Sequence, residues 1–322
     1  MDQIRFEQLL RDLASLSPSQ RKDLQTHLLS PSLEVRDPVV DAIESRVGDH
    51  PVCPRCGSDF IGKWGHAGGL RRFRCGDCHR TFNALTGTPL AGLRKRERWE
   101  SYASCVQNSR TVRASGKDCG VHRNTAFLWR HRFLAQVDLN RPDRLEGIVE
   151  ADETFFLESR KGQKNLPRKA RHRGGKALRP GRSREQVIVL VARDRAGLTT
   201  DRVLPSFDAR TVESMLGPVV AEDAVLCTDG AKPYAAFANK AGLRHEVLNQ
   251  SAGERTRGRT MHLQNVNGYH SRLKEWIRPF HGVSTRWLPN DLGWRRMLDR
   301  KGKALTPRMV LDGVLRPSTI NV

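Results

Sequence analysis

Two groups of residues in this 322-residue chain have the types and spacing to do chemistry. The first is Cys53-Pro-Arg-Cys56, eighteen intervening residues, then Cys75-Gly-Asp-Cys78. A CxxC turn aims two thiolates at one point, so two such turns complete a tetrahedron around zinc. Four protein ligands leave no open coordination position, so the expected site is structural. It reads as a zinc ribbon, with strands at 72–74 and 80–82 flanking the second turn. The second group is scattered. Glu150, Asp152 and Glu153 sit inside Gly147-Ile-Val-Glu-Ala-Asp-Glu-Thr-Phe-Phe156, whose apolar, β-branched and aromatic residues predict a buried strand. Asp229 ends a second such strand, Ala224 to Gly230. Charge is costly inside a sheet unless it is paired or bound, and two strands that each present an aspartate can hold a divalent cation. Farther on, a helix predicted over 267–277 places Asn267, His270 and Lys274 at i, i+3 and i+7, on one face.

Several elements must position these residues. Residues 1–30 carry leucines at helical spacing broken by Ser17-Pro18, a helical hairpin expected to serve packing or dimerisation. Residues 31–50, with Pro31, Pro38 and Gly48, read as a linker, so 1–50 is taken as an N-terminal helical segment and 51–92 as the ribbon. Between 93 and 140, one helix and turn through Gly120 precede a basic helix over 122–134. Ala126, Trp129 and Phe133 should face its core. Asn124 and His131 should point outward, with Arg123 and Arg132 on the flanks. That is the pattern of a helix-turn-helix whose second helix enters the major groove. From 145 to 300 hairpin strands come first (186–192 and 199–204). Then helices (211–221, 234–241) alternate with strands (224–230, 245–248), which predicts a mixed sheet with helices on both faces. An insertion at 157–185 interrupts it. Its residues 160–184 hold eleven Lys or Arg and no Asp or Glu, a mobile loop suited to clamping a phosphate backbone through residues such as Lys169, Arg171 and Arg173. Residues 301–322 read as a C-terminal tail.

The charge is the broadest signal: 56 Lys and Arg against 35 Asp and Glu, a formal net of +21. Residues 1–50 are net acidic, so the surplus lies in the remainder. Such a surplus calls for a polyanionic partner, with double-stranded DNA the expected one. No apolar run approaches a membrane span. Seven cysteines, four of them in CxxC pairs, suit metal thiolates in a reducing compartment.

Taken together, these pieces resemble the insertion-sequence transposases of the DDE superfamily, in the branch with an N-terminal zinc ribbon. The stretches that carry the resemblance are VEADETFF (149–156), CTDGAKPY (227–234) and HLQNVNGYHSRLKEWIRPFHGVSTRWL (262–288). The resemblance implies an α/β multidomain chain: N-terminal helices, zinc ribbon, helix-turn-helix and a ribonuclease H-like mixed sheet flanked by helices. It implies Asp152 and Asp229 as the first two catalytic residues, holding Mg2+ or Mn2+, and a lysine seven residues after the third, which fits Lys274. The third position usually holds glutamate; here the register gives Asn267, supported by His262 five residues earlier, with His270 as the rival. It further implies cleavage at terminal inverted repeats and strand transfer into target DNA, by a homodimer or larger assembly on DNA, in the bacterial cytoplasm at the nucleoid. The missing glutamate leaves a second expectation open, a catalytically inactive transposase-derived DNA-binding regulator.

Overall fold

A computed structural model describes residues 3–28, 37–48, 50–137, 141–171, 175, 177–178, 183, 185–249, 252–258 and 260–316. Two exposed helices open the chain, α1 (Gln3–Ala14) and α2 (Pro18–Leu28). The expected linker contains a third, α3 (Pro38–Glu44), capped by the Asp37 carboxylate on the Val39 amide. Its Val39, Ala42 and Ile43 are buried. Proline here starts a helix rather than breaking one, because at the first turn it has no bond to lose.

Three antiparallel strands follow, β1 (Ile61–Ala67), β2 (Leu70–Cys75) and β3 (Thr81–Asn83). One sheet face packs Phe73 on Phe82 beside Cys53 and Cys75. Then come α4 (Trp99–Gln107), α5 (Val112–Asp118) and α6 (Arg123–Phe133). Thr111 caps α5, and Gly120 adopts φ +61° in the turn before α6. Ala126, Trp129 and Phe133 are buried, as their helical spacing requires.

The largest unit is a five-stranded mixed sheet. Its strands are β4 (Ile148–Leu157), β5 (Gln186–Asp194), β6 (Thr199–Leu204), β7 (Val225–Thr228) and β8 (Arg244–Val247). They lie in the order β6-β5-β4-β7-β8; β4, β5 and β6 are antiparallel, and β7 and β8 run parallel to β4. Helices α7 (Ala209–Leu216) and α8 (Lys232–Ala241) cover one face through a core that includes Val149, Ala151, Leu226 and Tyr234. After a two-stranded ribbon, β9 (Thr256–Arg257) with β10 (Met261–His262), come α9 (Gln264–Ile277) and α10 (Leu288–Lys301). They cover the other face through Val189, Val191, Cys227, Val266, Tyr269 and Leu273. Asp201 of β6, fully buried, is ion-paired to Arg296 of α10 and accepts the Tyr269 hydroxyl at 2.9 Å. A buried charge survives when it is paired in this way.

Part of the expected C-terminal tail, residues 307–314, is a packed helix. Helix α11 (Pro307–Val314), capped by Thr306, buries Val310, Leu311 and Val314 against α4 and α6. The apolar spacing of those three residues on a short helix needs a partner surface, and the helices after the ribbon supply it. Two tryptophan indoles stitch this core to the sheet domain: Trp294 Nε1 donates to Val106 O at 2.9 Å and Trp276 Nε1 to Ser109 Oγ at 2.8 Å.

Candidate catalytic and metal sites

The four ribbon cysteines meet. Their Sγ atoms lie within 4.8 Å of one another, with Cys53–Cys78 at 3.6 Å and Cys56–Cys75 at 3.5 Å. Zn–S bonds of about 2.3 Å in a tetrahedron set neighbouring sulfurs roughly 3.8 Å apart. The observed spacing is close to that and far from a disulfide, so the thiolates present fit one closed zinc site. Among the described residues this is the only group of three or more His, Cys, Asp or Glu gathered so tightly.

The acidic site is built by strand parity. In β4, Glu150, Asp152 and Thr154 point one way and Ala151 and Glu153 the other. Glu153 leaves the trio: it faces α8, where the buried Tyr234 hydroxyl donates to it at 3.0 Å. Tyr234 is held protonated by burial and by Glu153, Asp152 and Asp229, which push its pKa well above the ordinary value. Asp152 faces α9. The parallel register pairs Ile148 with Val225, Val149 with Leu226 and Glu150 with Cys227. Carried two residues on, it brings Asp152 beside Asp229, one residue past the end of β7. Asp229 is exposed, and its Oδ1 accepts from the Ala231 amide at 3.0 Å across the turn made by Gly230 at φ +84°. A Cβ at Gly230 would come within 2.4 Å of the Val247 side chain, so only glycine fits there.

Asp152 is the perturbed member of the pair. Burial pushes the Asp152 carboxyl up to about 7, and the negative charges of Glu153 and Asp229 add to it; Lys274 pulls back only in part. On α9, His270 is 7% exposed, and its Nδ1 lies 3.8 Å from Asp152 Oδ2. Burial, with Lys274 nearby, drives the His270 imidazole down to about 4, so it is neutral at pH 7. Its Nε2 is buried without a hydrogen-bond partner. A buried Asp152 beside Asp229, next to a neutral imidazole with an orphaned nitrogen, forms a donor set suited to a divalent cation. Asn267 lies one turn earlier on the same side of the helix, half-buried, and its side-chain amide has no described hydrogen-bond partner. Lys274 is exposed one turn later. Among the described residues no further carboxylate joins them on α9: Glu275 is exposed beyond this face, and Glu254 is tied to Arg257.

The matching sequence profile covers this region. Residues 144–294 match the model of the ISXO2-like transposase domain. Asp152, Asp229, Asn267, His270 and Lys274 all fall inside the match, and the cysteine ribbon and α4–α6 fall outside it. The chain is also 27% identical over 237 residues to the "Uncharacterized protein in transposable element ISH50" of Halobacterium salinarum, covering 72% of this chain and 79% of that protein. Both similarities are to proteins of mobile elements. Among solved structures, a pre-cleavage Mos1 transpososome aligns with 69% of this chain and 80% of its own at 13% identity, and the Mos1 strand transfer complex with 66% and 78% at 13% identity. Their TM-scores of 0.21 and 0.22 are too low to carry any argument about this chain.

The expected DNA-contacting residues divide. Arg123, Asn124 and Arg132 are exposed on α6. His131 is not free for a groove: its ring stacks on Trp287 at 3.9 Å and 20°, and Phe127 meets it edge-on at 4.5 Å. Burial, with Arg130 and Arg286 close by, lowers its pKa to about 4. A helical wheel for α6 alone could not reveal this, because the covering ring, Trp287, comes 156 residues later in the chain. Within the insertion at 157–185, residues 157–171 are tied to the rest of the fold, unlike the loop their composition suggested. Ser159 and Thr285 exchange two backbone-anchored bonds of 2.8 and 2.9 Å, and Lys161 Nζ donates to Gly282 O at 3.0 Å. Arg171 spends its guanidinium on Glu158 O and Glu185, whereas Lys169 is exposed. Arg173 lies outside the described residues. Together with residues 277–288, described residues of the insertion line a cavity of about 830 Å³ at the C-terminal end of β4, with Arg160, Arg168 and Arg278 on its walls.

Sequence reasoning includes Glu150 in the acidic trio but does not separate its place from that of Asp152. Glu150 is fully buried, ion-paired to Arg195, and accepts the Val266 amide at 2.9 Å. The signal available was its even-residue parity with Asp152, which put it on the helix-covered face.

Proposed function

We propose that the protein is a DNA transposase that binds the terminal inverted repeats of its element, cleaves at their ends and joins them to target DNA. The observation that carries this reading is the placement of Asp152 beside Asp229 on parallel neighbouring strands, facing the α9 surface of Asn267, His270 and Lys274. The sheet order is read as ribonuclease H-like, and the similarity of residues 144–294 to a transposase domain supports the same assignment.

In this reading Asp152, Asp229 and Asn267 hold Mg2+ or Mn2+, which supply Lewis acidity for in-line displacement at a phosphodiester. His270 is the rival for the third position, favoured by its 3.8 Å approach to Asp152. Lys274, exposed beyond them, takes a DNA phosphate. Cys53, Cys56, Cys75 and Cys78 hold structural zinc. Helices α5 and α6 act as the helix-turn-helix, with Arg123, Asn124 and Arg132 toward the major groove, and Lys169 meets the backbone. Joining two ends in one event needs two active sites, so the working form on DNA is a homodimer or larger, in the bacterial cytoplasm at the nucleoid.

One observation favours a second reading, a regulator without catalysis: the only acid of α9, Glu275, is exposed and lies off the face that carries Asn267, His270 and Lys274. A cleavage and joining assay separates the two. The full chain with duplexes carrying the element's ends should cut and join in Mg2+ or Mn2+, and Asp152→Ala should bind those duplexes without cutting. Tight binding with no cleavage in either metal would instead establish the regulator. Cleavage undiminished in Asp152→Ala would place the chemistry elsewhere.

A further inference from the structure

Helix α9 begins without a side-chain cap of its own: Leu263 stands at its N-cap position. Its first amides must find partners elsewhere. The Gln264 amide donates to His262 Nδ1 at 3.2 Å, and the Val266 amide donates to Glu150 Oε2 at 2.9 Å. Glu150 is a carboxylate of another element, two residues before Asp152 on the same face of β4. Its second oxygen is paired with Arg195, from the turn between β5 and β6, and lies 3.2 Å from His262 Nδ1. Arg195 in turn donates to Thr260 O at 2.6 Å and touches the His262 ring at 3.1 Å. One fully buried carboxylate thus ties together the strand, the β5–β6 turn and the start of the helix. Its negative charge also lies at the positive end of the helix dipole.

The consequence is metric. From Val266 to His270 is four helical residues, a rise of about 6 Å. From Glu150 to Asp152 is two strand residues, about 6.6 Å. Helix and strand therefore advance in step. Glu150 meets Val266 on one rung, and Asp152 meets His270 on the next, where the 3.8 Å approach is observed. A slip of one residue at the first rung would swing His270 and Asn267 about 100° around the helix axis and away from the aspartates.

We propose that Glu150 is a positioning residue. By capping α9 from β4 it sets the helix register that brings Asn267 and His270 to Asp152 and Asp229. This rests on the metal-site reading above, and its test keeps the two apart. Mn2+ affinity is measured by calorimetry on the full chain for the wild type, Asp152→Ala, Glu150→Gln and Arg195→Met, with thermal melting of each. The wild type should bind Mn2+, and Asp152→Ala should lose that binding. Glu150→Gln and Arg195→Met, folded at the temperature used, should bind Mn2+ roughly tenfold or more weakly. In the cleavage assay they should lose kcat while KM for DNA stays unchanged. Hydrogen exchange should show the first turn of α9 losing protection in both. If wild type and Asp152→Ala bind Mn2+ alike, the metal-site reading fails. If Asp152→Ala loses Mn2+ while Glu150→Gln binds it as the wild type does, Glu150 is merely structural and the proposal is overturned. Should Glu150→Gln not fold, Arg195→Met, altered at a partly exposed residue, decides by the same criteria.

Discussion

The protein contains two candidate metal sites, and they are assembled in opposite ways. The ribbon site takes four thiolates from two short turns, closes its coordination shell and sits in its own small core. The acidic site takes one aspartate from β4, one from the end of β7 and its remaining groups from a helix more than a hundred residues after the first. The first is satisfied by spacing along the chain; the second exists only because a parallel register and a helix cap agree. The first should stabilise the fold when filled. The second carries an electrostatic cost without a cation, because Asp152 is buried beside the charges of Glu153 and Asp229 and His270 has an orphaned nitrogen. Sites of that kind are where stability is traded for function.

This contrast makes opposite predictions for the two sites. The largest effect belongs to the ribbon. Zinc binding to structural sites contributes on the order of 10 kcal/mol to folding. Cys75→Ser, or a strong chelator, should therefore unfold β1–β3, seen as loss of about one zinc per chain by elemental analysis and of dispersion in the ribbon's NMR signals. The acidic site should behave in reverse. Asp229→Ala should abolish end cleavage, by roughly a thousandfold or more if several kcal/mol of transition-state stabilisation are lost. Yet in metal-free buffer Asp229→Asn, which keeps an acceptor for the Ala231 amide while removing the charge beside Asp152, should melt slightly higher than the wild type. A lower melting temperature would mean that the aspartates are structural, and the comparison would break.

The comparison also explains what the sequence made legible. The cysteine turns declared themselves because the CxxC geometry is local. The sheet was legible too: the strand at 147–156 runs Ile148–Leu157, and the hairpin partner at 199–204 has the expected bounds. Asp152 stands inside one expected strand and Asp229 at the end of another, but their adjacency depends on a register that no single strand encodes. Glu150 illustrates the gap best. It looked like one of three equivalent acids, and only the packing of α9 separates the cap from the ligand and both from Glu153, which turns to Tyr234. The C-terminal helix was misjudged for the same reason: Val310, Leu311 and Val314 make sense only against α4 and α6.

That misjudged helix gives the next prediction. Leu311→Ala should cost about 2–5 kcal/mol, read as a lower denaturation midpoint of the helical core, while leaving the zinc content of the ribbon unchanged. The smallest effect concerns His131, stacked on Trp287 between α6 and the sheet domain. Its folded pKa, about 4, lies below the ordinary value of 6.5, so the folded state favours the neutral ring. Its contribution to stability is then complete above pH 6.5 and declines as pH falls toward 4. His131→Phe should flatten that part of the stability–pH profile, measured by denaturant melts across the range.

The central claim is that Asp152 and Asp229 share a divalent cation on the α9 side of the sheet. Anomalous scattering from crystals soaked in Mn2+ tests it most directly. The account predicts manganese peaks between the two carboxylates and within reach of Asn267 or His270, separate from the zinc peak among the four cysteines. Manganese bound elsewhere, with both aspartates unliganded at saturating metal, would contradict it.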